Sequence, residues 1–168
     1  MILLHNIGPS PSDDPSIKSN YNTIEEILAY TEPLSFDGVY TSVYDNKHNW
    51  MLRDVTLFVT GDYFGKDNSF DKGMPAERFC TWEQICELAR VYNCKIGWHT
   101  WSHRDLTKLS YEEIVKEVTP PHPMRYFAYP HGKYNDQVVK AVKEAGFKDA
   151  WSVTQGDGEQ FKRNRKYI

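Results

Sequence analysis

At 168 residues the chain is long enough to bury one sizeable core and short for two. A net charge of −3 with no basic stripe argues against nucleic acid as a partner. No run approaches the ~18 apolar residues of a membrane span, and the opening Met1-Ile-Leu-Leu-His-Asn6 lacks the basic start and apolar stretch of a secretory signal. Three cysteines, Cys80, Cys86 and Cys94, form no Cys-x-x-Cys and read as reduced thiols. The expectation is one cytoplasmic domain over residues 1–168.

Ile2–Ile7 predicts a strand, followed by a turn-rich stretch over Gly8–Asn20 that holds Pro9, Pro11 and Pro15. Thr23–Tyr30 has a helical pattern, Leu34–Asp37 reads as a strand and Thr41–Met51 as a helix. Val55–Thr60 is β-branched and aromatic enough to be a strong strand. After a polar loop over Gly61–Pro75, Thr81-Trp-Glu-Gln84 is a capping box opening a helix to about Val91. Lys95–Trp98 is the next strand. Ser110-Tyr-Glu-Glu113 is a second capping box, and its helix has to stop before Pro120-Pro121. Tyr126–Tyr129 predicts a strand, Asp136–Ala145 a helix closed by Gly146, and Ala150–Val153 and Tyr167-Ile168 the last strands. Strand and helix alternating about six times imply a parallel sheet or an incomplete barrel.

Chemistry-bearing residues collect where these strands end, the position at which α/β folds bind ligands. His99-Thr-Trp-Ser-His103 follows the Lys95–Trp98 strand, and two imidazoles four residues apart can grip one cation such as zinc. Asp37-Gly38 puts a carboxylate at the end of a buried strand, where it has to be paired, bound to metal or acting as a base. Arg125 begins a strand that turns at Pro130-His131-Gly132, bringing a third imidazole towards the sheet edge. Asp149-Ala150-Trp151 places a carboxylate and a large aromatic together.

Ser35-Phe36-Asp37-Gly38, His99-Thr-Trp-Ser-His103, Phe127-Ala-Tyr-Pro130-His-Gly132 and Asp149-Ala-Trp151 resemble, in this order, the motifs of polysaccharide deacetylases. The resemblance is to the NodB-homology domain of carbohydrate esterase family four and covers roughly residues 34–155. It implies a distorted, incomplete (β/α) barrel of about six to seven parallel strands. It also implies a metal-dependent hydrolase, most simply a zinc enzyme, that removes N-acetyl groups from amino sugars of a glycan or glycan precursor. By the same resemblance His99 and His103 are metal ligands, and Tyr129, Pro130 and Trp151 line the substrate pocket. Arg125 matches the arginine that orients the catalytic aspartate.

The chain departs from the family's Asp-Asp-Gly at one point: it has a single carboxylate there. Aligned on Phe36, Asp37 is the base and Gly38 replaces a metal ligand; aligned on Gly38, Asp37 is the ligand and the base is missing. The first alignment keeps Phe36 in the core. The family's closing Leu-x-His has no counterpart downstream, but Leu3-Leu4-His5 is similar and makes His5 the candidate general acid. The missing carboxylate leaves an alternative, a catalytically degenerate relative that binds carbohydrate or a partner without turnover.

Overall fold

The computed structural model describes residues 1–7, 21–50, 53–69, 76–153 and 156–167. The turn-rich stretch expected over 8–20, the end of the helix expected to reach Met51, residues 70–75 of the polar loop and Ile168 lie outside the described residues.

In chain order the elements are β1 (Ile2–Leu4), β2 (Asn6–Ile7), β3 (Tyr21–Asn22), α1 (Ile24–Leu28), β4 (Leu34–Asp37), α2 (Thr41–Asp45), α3 (Lys47–Trp50) and β5 (Val55–Val59). They continue with α4 (Trp82–Val91), β6 (Lys95–Trp98), α5 (Tyr111–Val118), β7 (Tyr126–Ala128), α6 (Asp136–Glu144), β8 (Asp149–Ser152), β9 (Arg163–Asn164) and β10 (Lys166–Tyr167). Both expected capping boxes form, Thr81 with Gln84 and Ser110 with Glu113, each satisfying two backbone donors that a helix start would leave orphaned.

The main sheet runs β10-β1-β4-β5-β6-β7-β8-β9, and every pairing in it is parallel. Its two outermost strands are one stretch of chain. β9 pairs with β8, β10 pairs with β1, and only Arg165 stands between them. Arg165 N–H donates to Ser152 O and Lys166 N–H to Met1 O, so residues 163–167 bridge both edges and curl the sheet back on itself. This is the expected incomplete (β/α) barrel.

Side chains alternate across each strand, which sorts the apolar residues into two layers. Leu34, Phe36, Val55, Leu57, Val59, Trp98, Phe127 and Ala150 face the helices and share a core with Ile85 and Leu88 of α4, Ile114 and Val118 of α5, and Val138 and Val142 of α6. Phe58, Ala128 and Trp151 form a separate cluster on the other face, inside the curl. Gly97 faces this interior too. A Cβ there would come within 2.6 Å of the Phe58 ring, so the missing side chain makes room for that ring. By the same alternation Ser35 and Asp37 of β4 and His99, just beyond β6, look into the curl.

Three expectations are revised. The single strand expected over Ile2–Ile7 divides at His5, because β1 runs out of partner at Leu4↔Phe36 and the chain leaves to pair β2 with β3. The helix expected from Thr41 breaks at Asn46, whose side-chain amide donates to Ser42 O and competes with helix continuation. β9 was not anticipated. Its two residues, Arg163 and Asn164, are exposed and polar and carry no apolar pattern.

Candidate active site at the open end of the curl

β4 ends at Asp37 and the chain turns at Gly38, whose φ of +79° is easy only for glycine. The Asp37 carboxylate is buried and faces Arg165. Nη1 and Nη2 of Arg165 donate to Oδ1 and Oδ2 of Asp37 at 2.5 and 2.8 Å, a two-pronged charge-assisted pair. Arg165 Nη1 also lies 3.4 Å from Ser35 Oγ, and its guanidinium covers the Phe58 ring at 5.1 Å. Burial alone would push the Asp37 carboxyl up. Arg165, then His99 and His5, outweigh that and hold it well below the usual carboxylate range.

His99 is held from behind. Its Nδ1 lies 2.8 Å from Ala128 O, and a carbonyl only accepts, which assigns the ring proton to Nδ1. Burial lowers its pKa further than neighbouring Asp37 raises it, so the ring is neutral and Nε2 presents a lone pair. That lone pair faces Asp37 Oδ2 at 3.5 Å. Two acceptors turned towards each other call for an electropositive group at the same place. Neighbouring ligand atoms of a tetrahedral zinc, with bonds of about 2.0–2.1 Å, lie about 3.3–3.4 Å apart. An imidazole anchored through its other nitrogen to a backbone carbonyl is the usual second half of such a site.

His103 stacks edge-on against His99 with ring centroids 4.8 Å apart, and His131 against His103 at 4.7 Å. Burial, with His99 and His131 beside it, takes the His103 pKa well below its ordinary value. Thr100, His103 and His131 all have positive φ, at 71°, 57° and 56°. Strained non-glycine backbone of this kind gathers at functional sites. Among the described residues, no three His, Cys, Asp or Glu side chains close around a common point. The donors therefore fit a zinc-like cation in chemistry and along the Asp37–His99 edge, and the third protein ligand is not in place.

His5, between β1 and β2, is near enough to feel the charges of Asp37, Arg165 and His99. Burial lowers its pKa to about 4 against the pull of Asp37. The folded imidazole thus resists a proton that an unfolded one accepts near pH 6.5. His5 stabilises the fold fully above about pH 6.5, and that contribution is lost as pH falls to about 4. Urea midpoints measured between pH 7 and 4.5 are expected to decline less steeply in His5→Asn than in the unsubstituted protein. Parallel curves would mean that His5 titrates alike in both states.

Residues 34–150 match the family described as "Polysaccharide deacetylase". The chain belongs to that family. It is 27% identical over 166 residues to an uncharacterized 30.6 kDa protein in the fumA 3' region of Geobacillus stearothermophilus, covering 90% of this chain and 52% of that one. It is 40% identical over 74 residues to chitin deacetylase 1 of Saccharomyces cerevisiae, covering 39% of this chain and 23% of that one. The chain thus spans about half the length of the first relative and under a quarter of the second. In fold it is similar to Streptococcus pyogenes deacetylase PplD in complex with acetate, with a TM-score of 0.74, 16% identity and coverage of 99% of this chain and 90% of that one.

Within this polysaccharide deacetylase domain the structure gathers His5, Asp37, His99 and His103 from the sequence-derived set. Arg125 stands elsewhere. It precedes β7, at the opposite end of the strands, is 66% exposed and pairs with Asp149 at 3.8 Å. The guanidinium on Asp37 belongs instead to Arg165, which sequence reasoning missed, because the exposed, polar residues Arg163 and Asn164 before it carry no strand pattern. Tyr129 is fully buried and donates its hydroxyl to Phe161 O at 2.8 Å, so it supports the wall from behind. Pro130 is buried at the start of the turn that presents His131. Trp151 lies 9% exposed against Phe58, part of an apolar floor beneath Arg165.

Proposed function

We propose that this domain hydrolyses the N-acetyl group of an amino sugar in a glycan or glycan precursor, with zinc as the working cation. The observation that carries the reading is the pair of facing acceptors, His99 Nε2 and Asp37 Oδ2, beside a second imidazole. His99, His103 and Asp37 would hold the ion, which when bound polarises the amide carbonyl and makes water a nucleophile near neutral pH. Asp37, fixed by Arg165 and permanently ionised, is too weak a base to take the proton itself and suits the ligand role. His5 is neutral at pH 7, so it accepts a proton from the attacking water before passing one to the leaving amine. The Phe58–Trp151 floor offers an apolar seat for the acetyl methyl group. Cys80, Cys86 and Cys94 are all unpaired, which suits a reducing, cytoplasmic setting and hence a glycan intermediate as substrate. Among the described residues no helix is long and apolar enough to cross a membrane.

Purified protein is expected to carry close to one equivalent of zinc and to release acetate from N-acetylated chito-oligosaccharides. Chelation and His103→Ala are each expected to remove both properties. Acetate release that survives both treatments would rule out the metal-centred chemistry. The second reading, binding without turnover, is favoured by the single carboxylate, Asp37, where the family has two, and by the unclosed donor set. It predicts saturable oligosaccharide binding with no acetate released even when zinc is supplied in excess.

A further inference from the structure

One buried titratable side chain has no part in the chemistry above. Glu117 on α5 is 7% exposed, and among the described residues no lysine or arginine forms an ion pair with it. A carboxylate taken out of water without a cation is costly unless hydrogen bonds replace its hydration. Both oxygens of Glu117 are turned on two residues that lie midway between the imidazoles. Trp101 N–H and Ser102 N–H donate to Oε2 at 3.1 and 2.9 Å, and the Ser102 hydroxyl donates to Oε1. α5 and the residue after it grip the same stretch twice more. Trp98 Nε1–H donates to Glu117 O at 3.0 Å and Trp101 Nε1–H to Thr119 O at 2.9 Å.

The stretch needs holding. Thr100 and His103 both sit at positive φ, a conformation that persists only where the surroundings over-determine it. His99 is tied at its own end through Val59 O and Ala128 O, whereas among the described residues the His103 backbone is tied to Thr100 Oγ1 alone. The position of the second ring relative to the first therefore depends on Trp101 and Ser102, whose carbonyls accept from Asp62 N–H and the Tyr63 hydroxyl and whose two N–H groups both go to Glu117.

We propose that Glu117 is a positioning residue that sets the spacing of His99 and His103 by clamping the backbone between them. Its consequence for zinc rests on the functional reading above; its effect on the two rings does not. The test compares Glu117→Ala and Glu117→Gln with the unsubstituted protein by imidazole ¹⁵N spectra recorded without metal, by titration with zinc alone, and by thermal unfolding. Glutamine keeps an oxygen for the two N–H donors; alanine keeps none. In folded Glu117→Ala the His99 and His103 signals are expected to move while those of His48 and His122 stay, with zinc binding weakened about ten- to a hundredfold. Glu117→Gln is expected to stay close to the unsubstituted protein in both readouts.

Unmoved His99 and His103 signals in folded Glu117→Ala would overturn the proposal. So would a Glu117→Gln protein as disturbed as the alanine variant, because the role would then be charge rather than position. If Glu117→Ala does not fold, Ser102→Ala removes one of the three bonds, and an absence of shift at the same two rings overturns the proposal equally. A wild-type protein that binds no zinc would sink the metal reading, and the imidazole shifts would still decide the case of Glu117.

Discussion

Arg165→Met is expected to lower the unfolding free energy at pH 7 by about 3–5 kcal/mol, the usual consequence of leaving one member of a buried ion pair alone. The pair is fully enclosed and two-pronged, so neither solvent nor salt stands in for the lost guanidinium. Burial, which raises the Asp37 carboxyl, would then be opposed only by His99 and His5, and the carboxyl would rise from well below the usual range. The sign of the pH dependence follows. In the unsubstituted protein the depressed carboxyl adds stability above about pH 4 that is lost as pH falls towards its folded value. In Arg165→Met that acid-labile contribution shrinks, and stability drops less through the same window. Urea unfolding at several pH values checks both statements. The double variant Asp37→Asn/Arg165→Met is expected to recover part of the loss, because no charge remains unpaired. A single variant within about 1 kcal/mol of the unsubstituted protein would mean that water or another cation takes the place of Arg165.

Asp37→Asn is expected to abolish acetate release, by about 10²–10⁴-fold or more, and to weaken zinc binding in the same protein. Both effects follow if Oδ2 is a ligand. The amide still accepts one hydrogen bond from Arg165 but supplies no charge to the cation, and it leaves the guanidinium buried without a counter-ion. Zinc titration separates this from the other role the motif allows. If turnover collapses while zinc affinity holds within about tenfold, Asp37 is the base, and the third ligand has to come from another side chain, with the His131 ring nearest to His103. Measured activity near that of the unsubstituted protein would remove Asp37 from the chemistry altogether.

Much of the fold was readable because local chemistry and global architecture agreed. Leu34–Asp37 and Lys95–Trp98 form as strands over the expected residues, and α4 and α5 begin at the capping boxes that announced them. The gathering of Asp37, His99 and His103 was readable from strand-end positions, since a parallel sheet sends all its carboxyl ends to one side. Arg125 failed as a partner for Asp37 for the same reason: it precedes a strand, so the rule that collects the others sends it to the far end. Arg165 was hidden because β9 and β10 are two residues each and are defined only by their pairing, β9 with β8 and β10 with β1 at the far end of the sequence. Nothing in the sequence marks Glu117 as buried, since a glutamate in a capped helix ordinarily faces water. Its burial depends on a loop that bends back over α5, which no periodicity reports.

The bridging of both sheet edges by residues 163–167 has one more consequence. The seam of the barrel and the arm that holds Asp37 are a single five-residue strip, attached to β8 by Arg165 N–H and to β1 by Lys166 N–H. Peeling such a strip away costs a handful of ladder bonds and the Asp37–Arg165 pair, still less than dismantling the six central strands. Opening it also withdraws the guanidinium from Asp37, so the site is disarmed while the rest of the molecule is still folded. With the proposed activity, warming should therefore stop acetate release several degrees before the core melts, and any ligand that pins the strip would raise the temperature of inactivation more than that of unfolding.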